Sequence, residues 1–233
     1  MMKQKLAVFD MDGTLLDSLP DLAECGRELL ASYALPSVSD AEVRRMIGNG
    51  VPMLVERLLQ AGAEKGAGAQ VADIDHAQAC RRFMEFYTPR ATRLSRLFPG
   101  TEDTLHILQA QGWLLAVCTN KPEVAALAIL ERFGLSPLFA CVGGGDSFAV
   151  RKPDPGHLLG TIAKAGTQPE SSVMIGDMSP DLLAAQGAGC PALFAAWGYG
   201  DGNLAELAQA EAASMVDVPE KAEWLLQNAC RAL

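Results

Sequence analysis

Two carboxylates, Asp10 and Asp12, close a short apolar run in the stretch Leu-Ala-Val-Phe-Asp-Met-Asp-Gly-Thr. Leu6–Phe9 has the length and composition of a buried strand, and alternate strand residues point to the same side. The pair therefore converges on one spot, where two like charges repel unless a cation or a proton lies between them. Gly13 permits a sharp turn and can bring backbone N–H groups toward an anion. Carboxylates, a cation and anion-binding amides at one strand tip point to metal-assisted phosphoryl chemistry.

Later apolar runs end in complementary groups. Trp113–Cys118 runs into Thr119-Asn120-Lys121-Pro122, where a hydroxyl and amides at a helix start either hold a phosphate oxygen or simply cap the helix. Arg151-Lys152-Pro153-Asp154-Pro155 follows the third run, with Pro155 suited to a first helical turn and Asp154 to its cap. Lys152, flanked by this rigid segment, is aimed rather than free to wander. Ser172–Ile175 leads into Gly176-Asp177-Met178-Ser179-Pro180-Asp181, a third strand-tip carboxylate with another one helical turn on. A hard divalent cation of the magnesium type takes oxygen ligands and keeps several waters, and Asp10, Asp12 and Asp177 form a suitable set. Asp181 either supports that set or caps the next helix.

These tips require a scaffold that gathers strand ends. Apolar runs at Leu6–Phe9, Trp113–Cys118, Ala140–Val142, Ser172–Ile175, Ala192–Ala196 and, more weakly, Ser214–Val218 alternate with helix-periodic segments at Thr101–Gln111, Pro122–Phe133, Pro155–Ala165 and Pro180–Ala188. Alternation of this kind predicts an α/β fold with a doubly wound, mainly parallel, Rossmann-like sheet, whose ligands bind beyond the carboxyl ends of the strands. Residues 16–95 break the pattern: they show helical spacing at Leu19, Leu22, Cys25 and Leu29, at Val43 and Ile47, and at Ala79 and Phe83, with no convincing strand. The Gly/Ala-rich stretch Ala61–Gln70 reads as a flexible connection between helices. The predicted division is an α/β core from residues 1–15 and 96–233, with a helical cap domain over 16–95 inserted after the first strand.

The 233 residues carry a net charge of −9, which excludes a nucleic-acid-binding surface and disfavours anionic membranes. No stretch approaches the roughly 20 apolar residues of a membrane span, and no signal peptide is visible, so a cytoplasmic protein is expected. Six cysteines without paired spacing read as reduced thiols, with Cys118, Cys141 and Cys190 in or beside apolar runs.

In this order the residues resemble the haloacid-dehalogenase-like hydrolase superfamily over nearly the whole chain. Its four motifs correspond to Asp10-Met-Asp12-Gly-Thr14, Thr119-Asn120, Lys152-Pro153, and Gly176-Asp177 with Asp181. Closer similarity to the bacterial phosphoglycolate phosphatase branch lies in Ile47-Gly48-Asn49-Gly50, Phe98-Pro99-Gly100, Gly144-Gly145-Asp146-Ser147 and Trp197-Gly198-Tyr199-Gly200. One departure stands out: Met178-Ser179-Pro180 replaces the usual Ser-x-Asn between the two aspartates, removing a polar group near the metal ligands.

The resemblance implies a Mg2+-dependent phosphomonoester hydrolase working through an aspartyl phosphate on a small phosphorylated metabolite, 2-phosphoglycolate first. Asp10 is then the nucleophile and Asp12 the acid–base, the latter also meeting the metal through its backbone carbonyl. Lys152, Thr119 and Asn120 hold phosphate; Asp10, Asp12 and Asp177 hold Mg2+, with Asp181 and Thr14 behind them. Gly48, Asn49 and Gly50 of the cap face the substrate. Arg44, Arg45, Arg81 and Arg82 of the cap are candidates for a substrate carboxylate, while His76, His106 and His157 read as structural or surface residues. A monomer or homodimer is expected. A sugar-phosphate phosphatase or a phosphoglucomutase-like phosphotransferase is the alternative, and a non-catalytic binding module fits the intact set of Asp10, Asp12, Lys152 and Asp177 poorly.

Overall fold

A computed structural model of the chain describes residues 4–66 and 73–229. It divides into two compact units, Met1–Asp17 with Leu97–Leu233, and Ser18–Arg96.

The first unit is built on a six-stranded sheet. Its strands are β1 (Lys5–Phe9), β4 (Trp113–Cys118), β5 (Cys141–Gly143), β6 (Ser172–Gly176), β7 (Ala192–Ala195) and β8 (Ala210–Ala212). The order is β5-β4-β1-β6-β7-β8 and every pairing is parallel. The helices α5 (Thr101–Ala110), α6 (Glu123–Arg132), α7 (Pro155–Lys164), α8 (Ser179–Ala188) and α9 (Val218–Ala229) connect or follow the strands. Parallel strands need such crossovers, and helices on the sheet leave β1 apolar on both faces: Leu6 to Phe9 are fully buried. The Leu6, Val8 and Phe9 side chains each contribute about 1.5–3 kcal/mol by leaving water.

Register decides where the strands end. Phe9 lies beside Val117 on one side and Ile175 on the other, and Cys118 lies beside Gly143. Asp10, Thr119 and Asp177 therefore emerge at one edge of the sheet, which the switch in strand order opens between β4, β1 and β6.

Several expected elements differ. Ser214–Val218 is not a strand. Asp217 accepts from Ser214 N and Oγ, which folds Met215–Asp217 into a 3-10 turn ahead of α9, and the edge strand is the earlier Ala210–Ala212. Two short strands, β2 (Leu16–Asp17) and β3 (Arg96–Leu97), form a small sheet of their own where no strand was expected.

The second unit is helical: α1 (Leu19–Ser32), α2 (Asp40–Arg44), α3 (Gly50–Lys65) and α4 (His76–Tyr87). Its core includes Leu22, Cys25, Leu29, Val55, Leu58 and Phe83. The first half of the Ala61–Gln70 stretch belongs to α3 rather than to a connection, because Gly62 packs close against Leu30 and Leu35; residues 67–70 lie outside the described residues. Cys25, Cys80, Cys118, Cys141 and Cys190 are free thiols, with Cys141 only half-buried, and Cys230 lies outside the described residues. Among the described residues no helix is long and apolar enough to cross a membrane.

Candidate active site

Asp10 follows β1 directly and its backbone N–H donates to Ile175 O at 2.9 Å, so its position is tied to β6. Lys152 lies in the loop before α7, which starts as its sequence demands, with Asp154 Oδ1 accepting from Gly156 N at 2.8 Å and Pro155 at the first position. The loop delivers Lys152 to the sheet edge. Its Nζ donates to Asp10 Oδ1 at 2.9 Å, Asp181 Oδ1 at 2.6 Å and Cys118 O at 2.5 Å. Those three bonds use every donor of the ammonium. Burial alone would lower the pKa of this lysine, but the carboxylates of Asp10 and Asp181 outweigh it and hold the group above its ordinary value.

Two further contacts position the loop. Asn120 Nδ2 donates to Lys152 O at 2.9 Å, and the Lys152 N–H donates to His157 Nδ1 at 3.1 Å. His157 is fully buried and its Nε2 lies 3.2 Å from Gly143 O, so the neutral ring donates there and accepts from Lys152. Burial, then the Lys152 charge, push its pKa down to about 4. His157, read from the sequence as structural or surface, is thus a buried support for the lysine loop. Its i+5 spacing from Lys152 was the only available signal.

Asp177 is fully buried and accepts from two neutral donors, Thr14 Oγ1 at 2.7 Å and the Tyr199 N–H at 2.8 Å. Glycines make this closeness possible. A Cβ at Gly13, whose φ is +92°, would sit 2.2 Å from Asp177 Oδ2, and one at Gly198 would sit 2.3 Å from Asp177 Cβ. Trp197 Nε1 donates to Thr14 O at 2.9 Å and Tyr199 Oη to Asp17 Oδ1 at 2.8 Å, so the segment after β7 clasps the turn after β1. Asp181 sits in the first turn of α8, where its Oδ2 accepts from Met178 N at 3.0 Å. It caps its helix, one of the two roles the sequence left open, and also holds Lys152.

Asp10, Asp177 and Asp181 each bring an oxygen within 4.8 Å of the others. Asp181 completes this trio where the sequence reading has Asp12. Three buried carboxylates against one ammonium, with oxygen donors alone, fit a hard divalent cation. Burial first, then Asp181 and Asp10, raise the pKa of Asp177 well above the ordinary carboxylate range, which marks the negative charge a cation would offset.

Asp12 points elsewhere. Its Oδ2 lies 3.1 Å from Lys121 Nζ, while its buried Oδ1 has no hydrogen-bond partner. Thr119 is buried, and its Oγ1 accepts from Lys121 N at 3.3 Å. Lys121 was not singled out from the sequence as a site residue; its place directly after Thr119-Asn120 was the signal. In the helical unit, Gly48 and Gly50 adopt positive φ around Asn49, whose Oδ1 accepts from Arg57 Nη2 at 3.0 Å. Arg45 and Arg82 donate within that unit, to Ala41 O and Ser32 Oγ, and Arg44 and Arg81 are exposed.

The profile of the haloacid dehalogenase-like hydrolase family matches residues 7–195. A phosphoglycolate phosphatase of Mesorhizobium japonicum is 37% identical over 230 residues, 98% of this chain and 99% of that protein. One from Agrobacterium fabrum is 40% identical over 202 residues, 87% of this chain and 84% of that protein. Among solved structures, a predicted phosphoglycolate phosphatase from Haemophilus somnus superposes with a TM-score of 0.88 at 33% identity, covering 95% of this chain and 99% of that one. The sheet, the four strand-tip motifs and these likenesses agree: the chain belongs to the haloacid dehalogenase-like hydrolase family and is a phosphatase.

Proposed function

We propose that this phosphatase hydrolyses small phosphomonoesters, 2-phosphoglycolate first, through an aspartyl phosphate on Asp10 and with Mg2+. The observation that carries the reading is the division of labour between two aspartates two residues apart. Asp10 is clamped by Lys152, whereas Asp12 keeps Oδ1 without a partner.

In the first step a carboxylate oxygen of Asp10 attacks phosphorus, and the ester oxygen leaves as its bond to phosphorus breaks. Asp12 gives that oxygen its proton, so the leaving group departs as a neutral alcohol. Water then attacks phosphorus of the aspartyl phosphate and Asp12 takes up its proton. Inorganic phosphate and free Asp10 result. Lys152 fixes the aim of Asp10 and, with the Thr119 hydroxyl, offsets charge that grows on the phosphoryl oxygens. Asn120 and His157 act by holding Lys152 in place. Asp10 and Asp177 are the residues that would hold Mg2+, with Thr14 and Asp181 orienting them; the ion neutralises phosphoryl charge when bound. The helical unit is inserted in the chain just after the strand that carries Asp10 and Asp12.

A steady-state assay in Mg2+ buffer tests this directly. Wild-type protein releases phosphate from 2-phosphoglycolate and from an aryl phosphate, and Asp10→Asn abolishes both. Turnover by folded Asp10→Asn at the wild-type rate would reject the nucleophile. A higher kcat/KM for a sugar phosphate would reject the substrate and leave the phosphatase class standing.

A further inference from the structure

The site holds two buried ammonium groups, and they pair with different aspartates. Lys152 spends all three donors on Asp10, Asp181 and a backbone carbonyl, so it belongs to the phosphoryl side. Lys121 pairs with the second aspartate instead, with Nζ 3.1 Å from Asp12 Oδ2 and only 4% of its side chain exposed. Burying an ammonium is costly, so its place beside a reactive carboxylate needs a purpose.

We infer that Lys121 recognises a carboxylate on the leaving group and thereby selects 2-phosphoglycolate-like substrates over neutral ones. The inference rests on the proposed role of Asp12 and extends it. If Asp12 protonates the ester oxygen, the unpartnered Oδ1 is the atom that meets that oxygen. In 2-phosphoglycolate a single methylene separates the ester oxygen from the carboxylate. A substrate engaged at Oδ1 therefore carries its carboxylate toward the ammonium that holds the other oxygen of the same aspartate. An ammonium is a compact charge that attracts a carboxylate without needing the planar approach a guanidinium requires. Two of the arginines offered by the helical unit are engaged within it: Arg45 donates to Ala41 O and Arg82 to Ser32 Oγ, Arg82 also lying 5.0 Å over the Tyr33 ring.

The experiment compares 2-phosphoglycolate with 2-hydroxyethyl phosphate, which keeps the ester and replaces the carboxylate by a hydroxymethyl group. It measures kcat and KM in Mg2+ buffer for wild type, Lys121→Met and Lys121→Arg, with circular dichroism to verify folding. Wild type is expected to favour 2-phosphoglycolate. Lys121→Met should cut the ratio of the two kcat/KM values by about 100-fold, chiefly through KM, and Lys121→Arg should restore part of it. Competitive inhibition of wild type by glycolate but not by ethylene glycol reads the same contact without any variant.

An equal loss on both substrates would overturn the inference, since Lys121 would then serve only Asp12 or the fold. So would an unchanged ratio, or equal inhibition by the two alcohols. Wild type that takes both phosphates equally would reject the substrate reading itself, and the inference with it.

Discussion

Lys152 and Asp181 form an ion pair at 2.6 Å in which both side chains are almost wholly buried. Asp181 is the first-turn residue of α8 and Lys152 precedes α7, so the pair locks two helix starts together beneath Asp10. A pair of this kind is weak evidence for stability while intact, but removing one partner strands a buried charge.

Asp181→Ala should therefore destabilise the fold by about 3–5 kcal/mol. It also frees Lys152 from one of its two carboxylates, and turnover should fall with it. Urea unfolding monitored by circular dichroism checks the first effect, and kcat on 2-phosphoglycolate checks the second. Wild-type stability would mean that water satisfies the lysine.

Lys152→Ala removes the clamp on Asp10 and the positive charge nearest it. We expect kcat to fall by at least about 100-fold, comparable with losing one oxyanion donor. Steady-state kinetics on purified, folded variant tests this; a loss under about tenfold would place Lys152 outside the chemistry.

Mg2+ should stabilise the protein more at about pH 7.5 than at about pH 5.5. Asp177 has its pKa raised by burial and by the carboxylates of Asp181 and Asp10. A raised carboxylate contributes stability that is complete below its unfolded value near 4 and is lost as pH rises through the folded value. The metal-free protein is therefore strained by charge at neutral pH, where a cation relieves most. His157 has the opposite sign: with its pKa lowered to about 4, its contribution is present above about 6.5 and lost as pH falls. That term is common to both conditions, so the difference in Tm with and without Mg2+ isolates the carboxylates. At a hundred times Kd the gain is about 2.7 kcal/mol. A Tm shift independent of pH would refute this account.

Gly198→Ala should weaken Mg2+ binding while leaving the helices intact. The added methyl would fall 2.3 Å from Asp177 Cβ and 2.5 Å from Gly13 O; Asp177 is held by Thr14 and Tyr199, and the Gly13 N–H donates to Leu16 O. Overpacking of this kind costs about 1–3 kcal/mol, part of which appears as a displaced Asp177. Titration calorimetry with Mg2+ measures it, and unchanged affinity would show that the cradle yields elsewhere.

The strand-tip residues were legible because their signals are local. An apolar run that stops at a carboxylate, hydroxyl or Asp-capped turn names both a strand and its end, and parallel register gathers Asp10, Thr119 and Asp177 at one edge. Elements held by side-chain pairing were less legible: the Ser214–Asp217 turn passed for a strand, and Ala61–Lys65 for a connection.

By itself the sequence determined the chemistry, because the residue types at successive strand ends admit few reactions. Only the tertiary structure decided the partnerships. Lys152 lies 142 residues from Asp10 and 29 from Asp181, and no local pattern says that β4, β1 and β6 are neighbours in that order. The same long-range packing placed Lys121 on Asp12, His157 under Lys152 and Tyr199 between Asp177 and Asp17. Periodicity records which face of an element is buried; it does not record which distant residue waits there.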